Sequence, residues 1–199
     1  ENTYQPGVSL QVAFARLFNE LFPDSGIVFL DPSDPALKRL SAPIVVQELE
    51  TYPTTGEEVI KRSAELDELY HAQIKPRAVN YFLLHKGNRY PIEPGEHGFF
   101  LKGSRQRFTR EELLTLAETE PERFSPNVLL RPVVQDTLLP TVSYVAGPSE
   151  VAYFAQLQPA YDHFQVPMPV ITPRSSITII ERKIEKLFGK YRLPYAAMF

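Results

Sequence analysis

The segment Val142–Leu157, VSYVAGPSEVAYFAQL, narrows the fold class more than any other part of the sequence. Its apolar run stops at AGPSE and then resumes with helical spacing, which predicts a strand, a tight turn and a helix start. With Gly147 as the N-cap, Pro148 falls at the first helical position and Glu150 at the third, where an acid complements the helix dipole. In open α/β folds, ligands bind at junctions of this kind.

The same junction does not have the composition of a phosphate loop. Gly147 is its single glycine, whereas phosphate-binding loops use several so that successive amides can approach the oxygens. Glu150 would also repel a phosphate placed beside it. Two interpretations of Glu150 stay open: it receives a substrate amine, or it only caps its helix.

Both ends of the chain alternate amphipathic helices with short apolar runs. Helical spacing predicts helices over Val8–Phe22, from Pro35, over Pro148–Phe164 and over Glu181–Phe188, and continuous apolar runs predict buried strands at Ile27–Leu30 and Pro167–Ile171. Helix, buried strand, turn and helix in succession are typical of α/β folds with a parallel sheet. The sequence therefore predicts the α/β class.

The middle of the chain has a different pattern, typical of a small α+β insertion. It predicts a helix over Glu57–Ile74, strands at Asn80–Leu84, Arg89–Ile92 and Phe99–Leu101, and a helix to Glu118 that starts from a capping box at Thr109–Glu112. We therefore divide the chain into a first core part at 1–52, an inserted subdomain at 53–122 and a second core part at 123–199.

Composition excludes several function classes. The net charge of −3 gives no bulk attraction to nucleic acid or to an anionic membrane, and the absence of cysteine rules out disulfides, thiolate metal sites and a cysteine nucleophile. The four histidines lack metal-binding spacing, so we predict no metal site. The basic segment Lys102–Arg110 fits a solvated loop better than a phosphate or nucleic-acid contact. No apolar run is long enough to span a bilayer and no leader pattern opens the chain, so we expect a cytoplasmic protein.

Polar residues from three segments are candidates for one ligand cleft. Arg131 and Gln135 are four residues apart, hence on one face if the segment is helical. Gly147 and Glu150 follow one predicted strand, and Arg174 with Ser175 follows another, so parallel strands would bring them to one edge. Arginine suits carboxylate or phosphate recognition because its donors form a planar fork. An ion pair between Arg131 and Asp136 with a purely structural role is an equal alternative.

Long motifs in the chain resemble one family. FSPNVLLRPVVQDTLLPTVSYVAGPSEVAYFAQL, VPMPVITPRSSITIIE and GIVFLDPSDPALKRLSAPI are similar to the bacillithiol-biosynthesis cysteine-adding enzymes, and the resemblance covers nearly the whole chain. It implies a partial Rossmann-like parallel sheet core with insertions, and in the full-length family a helical coiled coil that forms a homodimer. It also implies an amide-forming ligase that adds cysteine to glucosaminyl malate, with ATP or another nucleotide as cofactor.

The chain departs from the family pattern at both ends. The family's G-x-D-H-D-like motif is not found, and a coiled coil has barely begun at Glu181, so we expect the central portion of the enzyme. The resemblance leaves the catalytic residues unassigned.

Together with position at strand and helix ends, the resemblance suggests roles for the candidate residues. Arg131 and Arg174 would bind a malyl carboxylate or a nucleotide phosphate, and Glu150 an amine or hydroxyl. Gly147 lies at the turn, and hydrogen-bonding supports would come from Gln135, Tyr153 and Ser175. The alternative is a non-catalytic Rossmann-like binding or scaffolding domain.

Overall fold

The structure is a computed structural model that describes residues 3–68, 71 and 73–195. Its helices are α1 (Leu10–Leu21), α2 (Pro35–Thr51), α3 (Thr54–Asp67), α4 (Arg110–Thr119), α5 (Leu130–Leu138), α6 (Pro148–Phe164) and α7 (Arg182–Tyr191). Its strands are β1 (Tyr81–His85), β2 (Asn88–Gly95), β3 (Gly98–Leu101), β4 (Arg107–Phe108), β5 (Phe124–Pro126), β6 (Ser143–Ala146) and β7 (Val170–Pro173).

The larger sheet is antiparallel, which corrects the predicted parallel core. Its five strands follow the order β4-β3-β2-β1-β5, whereas β6 and β7 form a separate parallel pair. The β1–β2 hairpin explains part of the difference, because Lys86 and Gly87 both adopt positive φ in a two-residue turn between His85 and Asn88. Such turns join antiparallel neighbours. The α/β class is confirmed, and β6, α6 and β7 form a βαβ unit.

The predicted buried strand at Ile27–Leu30 is wrong. The segment pairs with no strand of the described residues, and Val28 is 79% exposed. Phe29 and Leu30 instead line a recess together with Phe14 of α1. A run of four apolar residues cannot distinguish a buried strand from a linker that packs beside a helix.

The last predicted strand is present but displaced. Pairing begins at Val170, whose backbone N–H donates to the Val142 carbonyl over 3.1 Å, instead of at Pro167. Proline has no N–H to donate, so Pro167 and Pro169 delay the pairing. The strand is not buried either, since Val170 is 67% exposed.

Helix predictions depend on their end signals. The helices α1 and α6 and the Thr109–Glu112 capping box are confirmed. The helix predicted to reach Ile74 ends at Asp67, however, and the Ile74 N–H donates to the buried Gln156 side chain over 3.0 Å instead of to a helical carbonyl. Residues 69, 70 and 72 of that prediction lie outside the described part.

One hydrophobic cluster draws on all three predicted ranges. Leu49 comes from the first range, Val59 and Tyr81 from the second, and Phe154 and Leu157 from the third. The strand β5, in the third range, pairs with β1 in the second. The division into three units stays a prediction.

A buried carboxylate lies inside this core. Glu48 Oε1 accepts hydrogen bonds from the Asn80 backbone N–H at 2.8 Å and from Asn80 Nδ2 at 2.9 Å, and Oε2 accepts one from the Thr55 hydroxyl at 2.8 Å. Asn80 Oδ1 accepts in turn from Asn127 Nδ2 at 2.9 Å. The network joins α2, α3 and the approaches to β1 and α5.

Candidate functional site

The parallel pair brings two turns side by side. Ala146, the last residue of β6, lies opposite Pro173, the last residue of β7, and the Arg174 N–H donates to the Ala146 carbonyl over 2.7 Å. The guanidinium of Arg174 therefore lies against Gly147, where a Cβ atom would stand 2.9 Å from Nη2. Gly147 has an ordinary negative φ, so a larger residue there would require only that the flexible end of Arg174 shift.

Glu150 caps α6 as predicted, and its carboxylate also accepts a hydrogen bond from a tyrosine of β6. Its Oε2 accepts from the Gly147 N–H at 2.8 Å, and its Oε1 accepts from the Tyr144 hydroxyl at 2.9 Å. These two hydrogen bonds hold the pKa of Glu150 below its usual value, and the charges of Arg174 and Arg131 act in the same direction. Glu150 is therefore ionised at neutral pH.

Arg131 approaches the same carboxylate from α5. Its Nη2 donates to the Tyr153 hydroxyl over 2.9 Å. Burial alone would lower the pKa of Arg131, but Tyr144 and Tyr153 outweigh it and the net pKa is raised. Burial also raises the pKa of Tyr153, so its phenol keeps its proton.

The alternative ion pair between Arg131 and Asp136 is not formed. Asp136 Oδ2 accepts a 2.5 Å hydrogen bond from Tyr161 instead, and among the described residues Arg131 makes no salt bridge. Burial and the neighbouring Asp136 raise the pKa of Tyr161.

Five of the seven candidate residues meet at this edge, together with one that the sequence did not indicate. We call the group the strand-end cluster: Arg131, Tyr144, Gly147, Glu150, Tyr153 and Arg174. Gln135 is the fourth residue after Arg131 on α5 and lines a recess that Arg131 also borders, and Ser175 is exposed with no side-chain hydrogen bond to the described residues. Period-two alternation on β6 could have indicated Tyr144, because it points to the same face as Ala146.

The strand-end cluster is suited to a ligand that carries both signs of charge. Each oxygen of the ionised Glu150 uses one acceptor position and has another free for an ammonium or hydroxyl donor. Arg131 and Arg174 present forked donors to an anionic group beside it. The lowered pKa makes Glu150 a weak base, so the carboxylate suits binding and orientation better than proton abstraction.

The start of α6 does not fit a nucleotide phosphate, since the Glu150 carboxylate already accepts from the Gly147 N–H. Across the described ranges, no group of three or more His, Cys, Asp or Glu side chains could hold a metal ion. In that same part of the chain, no helix combines the length and apolar character needed to cross a membrane.

Comparison with known proteins decides the family. The family model described as "Bacillithiol biosynthesis BshC, N-terminal Rossmann-like domain" matches residues 1–175. The chain belongs to this family. The family's Rossmann-like description agrees with the β6–α6–β7 unit that carries the strand-end cluster.

Relatives named "Putative cysteine ligase BshC" match almost the whole chain. The protein from Chlorobaculum tepidum is 44% identical over 193 residues, covering 96% of this chain and 34% of that protein. The protein from Salinibacter ruber is 44% identical over 195 residues, covering 97% and 36%, and that from Solibacter usitatus is 36% identical over 202 residues, covering 100% and 37%. The chain thus spans about a third of the length of these relatives.

Proposed function

We propose that this chain supplies part of the substrate site of a cysteine ligase that adds cysteine to glucosaminyl malate and so completes bacillithiol. Family membership supports a ligase of bacillithiol biosynthesis. The observation that carries the site is the ionised Glu150 flanked by two arginines at the ends of the parallel strands.

The chemistry of the two substrates matches this charge arrangement. Cysteine carries an ammonium and a carboxylate, and glucosaminyl malate carries an amine and malyl carboxylates. An ammonium or amine would donate to Glu150, and a carboxylate would accept from Arg131 and Arg174. The Tyr153 hydroxyl, which already accepts from Arg131, keeps its proton as a further donor. Gln135 and Ser175, which lie apart from the strand-end cluster, are not given a role in it.

The cofactor of the proposal is ATP or another nucleotide, which would activate the carboxylate that forms the amide by converting its oxygen into a leaving group. Because the start of α6 does not suit a phosphate, we assign none of its groups to the nucleotide. Residues of this chain bind and orient substrates. A homodimer and a cytoplasmic location belong to the same proposal for the intact protein.

Two arginine substitutions test the site in the intact protein. Arg131→Gln and Arg174→Gln each remove one forked donor, and we expect the dissociation constant of cysteine or glucosaminyl malate to rise about tenfold or more. Isothermal titration calorimetry with each substrate measures this change. Arg39→Gln is the matched control, because Arg39 is an exposed arginine of α2 away from the cluster.

The outcomes separate the proposal from its alternative. Unchanged affinity in both cluster variants would remove these arginines from the site. If the unmodified protein binds neither substrate and mass spectrometry detects no bacillithiol in the presence of ATP, a non-catalytic binding or scaffolding domain is favoured instead.

A further inference from the structure

A second recess lies between α2 and α5, on the Gln135 side of Arg131. Its volume is about 270 Å³. Its polar lining includes Lys38, Ser41 and Gln135, and its apolar lining includes Leu37, Val134 and Leu138. The recess therefore presents both polar and apolar groups to a ligand.

Lys38 gives the recess a positive charge and has no salt-bridge partner in the described part of the chain, whereas Arg131 lies near Glu150. Lys38 Nζ donates to the Phe124 carbonyl over 2.6 Å, which leaves two of its three N–H groups for other acceptors. Arg131 also borders the recess, and no Asp or Glu of the described residues lines it. Neither Lys38 nor Arg131 makes a salt bridge with the described part of the chain.

Another cation, Arg89 of β2, adds positive charge near Lys38. Arg89 is held in place by donating to Ser125 Oγ over 3.1 Å and to the Pro126 carbonyl over 2.9 Å. Burial lowers the pKa of Lys38, and the charge of Arg89 lowers it further. An anion beside Lys38 would relieve this repulsion.

The dimensions of the recess limit the size of its ligand. A cavity of roughly 150 Å³ holds benzene, and pockets for drug-sized ligands start near 300 Å³. At about 270 Å³, the recess accommodates about one ring with a substituent. Leu37, Val134 and Leu138 would cover the apolar part.

We propose that this recess binds a small organic anion, with a phosphate or carboxylate head on Lys38 and an apolar body against Leu37, Val134 and Leu138. The site adjoins the strand-end cluster but takes a different ligand, and it does not depend on the proposed ligase function. Arg131 is the one residue that the two share.

Titration of the intact protein with four probes tests the anionic head and the apolar body of the proposed ligand separately. We expect phenyl phosphate or benzoate to bind, with benzyl alcohol and inorganic phosphate at least about tenfold weaker, because each lacks one half of the ligand. The tighter of the two aromatic anions identifies the head group. Equal binding of benzyl alcohol would overturn the anionic end of the proposal, and equal binding of inorganic phosphate would overturn the apolar end.

A lysine substitution places the binding in this recess. Lys38→Met should weaken the tighter aromatic anion about tenfold or more, and Lys38→Arg, which keeps the charge, should restore most of the affinity. Lys61→Met is the control, because Lys61 is exposed on α3 and paired with Glu58 at 2.5 Å. Unchanged affinity in folded Lys38→Met would overturn the assignment.

A measurement on the unmodified protein covers the case in which Lys38→Met does not fold. Acetylation of Lys38 by acetic anhydride, followed by peptide mass spectrometry, should slow at least severalfold when phenyl phosphate or benzoate is bound, while acetylation of Lys61 stays the same. Equal acetylation of Lys38 with and without the probe would contradict the proposal.

Discussion

Tyr144 connects the opposite charges of the strand-end cluster. Its hydroxyl donates to Glu150, and it lies close enough to Arg131 to raise the pKa of that guanidinium. Its ring also packs on Phe154 with centroids 4.7 Å apart, which fixes the hydroxyl in place. Tyr144 thus positions Glu150.

Replacing Tyr144 by Phe should raise the pKa of Glu150 toward its usual value, because one of the two hydrogen bonds to the carboxylate is lost. A depressed carboxyl pKa stabilises the fold above the unfolded-state pKa, and this contribution disappears as the pH falls through the folded-state pKa. The variant should therefore lose less stability over that acidic range. Carboxyl NMR titration of Glu150 measures the pKa directly.

Tyr90→Phe is the control for this titration, because Tyr90 is a half-buried tyrosine without a side-chain hydrogen bond to the described residues. It should leave the pKa of Glu150 unchanged. An identical Glu150 pKa in Tyr144→Phe and in the unmodified protein would show that the hydroxyl does not hold the carboxylate.

Local rules predicted part of the strand-end cluster and missed the rest. Capping preferences placed Gly147 and Glu150 correctly, since they depend on residues three apart. The sequence did not indicate Tyr144, because its hydrogen bond to Glu150 depends on the conformation of the turn that follows β6. Gln135 shares a helix face with Arg131. The long Arg131 side chain reaches the Tyr153 hydroxyl, whereas the shorter Gln135, one turn away, lines the recess instead.

At the level of elements, α4 shows how a helix start is fixed by side chains. The Glu112 N–H donates to Thr109 Oγ1 over 3.1 Å, and the Thr109 N–H donates to Glu112 Oε2 over 2.8 Å. This reciprocal pair satisfies two amides that the helix itself leaves unpaired. The buried Leu113 and Ala117 follow from that start.

Thr109→Ala should lower the free energy of unfolding by about 1 kcal/mol, because one of these amides loses its acceptor. Urea denaturation followed by circular dichroism measures the change. Thr115→Ala, an exposed position inside the same helix, should stay within about 0.5 kcal/mol of the unmodified protein. A similar effect of both substitutions would mean that the cap contributes no specific stability.

Helices were easier to predict than strands for a physical reason. Caps and 3.6-residue spacing are signals within one segment, so α1, α4 and α6 were identified. A strand needs a partner elsewhere in the chain. The apolar run at Ile27–Leu30 has the composition of a strand, but in the described structure no other strand pairs with it.

At the level of the whole molecule, Glu48 joins elements that are distant in sequence. Its carboxylate accepts from Thr55 on α3 and from two nitrogens of Asn80, 32 residues away. The same region packs Leu49 and Val59 into the shared core with full burial.

Glu48→Ala should lower the free energy of unfolding by at least about 3 kcal/mol, because it leaves three buried donors without their acceptor. Denaturant unfolding measures the change, and Glu50→Ala on the exposed side of α2 should stay within about 0.5 kcal/mol. A loss below 1 kcal/mol in Glu48→Ala would show that water replaces the carboxylate at little cost.

The arrangement of the sheets was beyond what sequence patterns specify. The β1–β2 turn is local, but the pairing of β1 with β5 crosses some forty residues and the boundary between two predicted ranges. The α/β class followed from the alternation of elements, whereas the antiparallel order follows from contacts that no single segment encodes.

The register of β7 against β6 also determines which changes in the sequence leave the strand-end cluster intact. Arg174 reaches Gly147 because Pro173 lies opposite Ala146. Inserting or deleting one residue in 165–169 would, if the pairing slipped to follow it, turn the Arg174 side chain to the opposite face of the sheet. Exchanging side chains at 165, 166 or 168 would leave the pairing in place, because only Pro167 and Pro169 lack a backbone N–H. For this connection, the number of residues sets the face on which Arg174 lies.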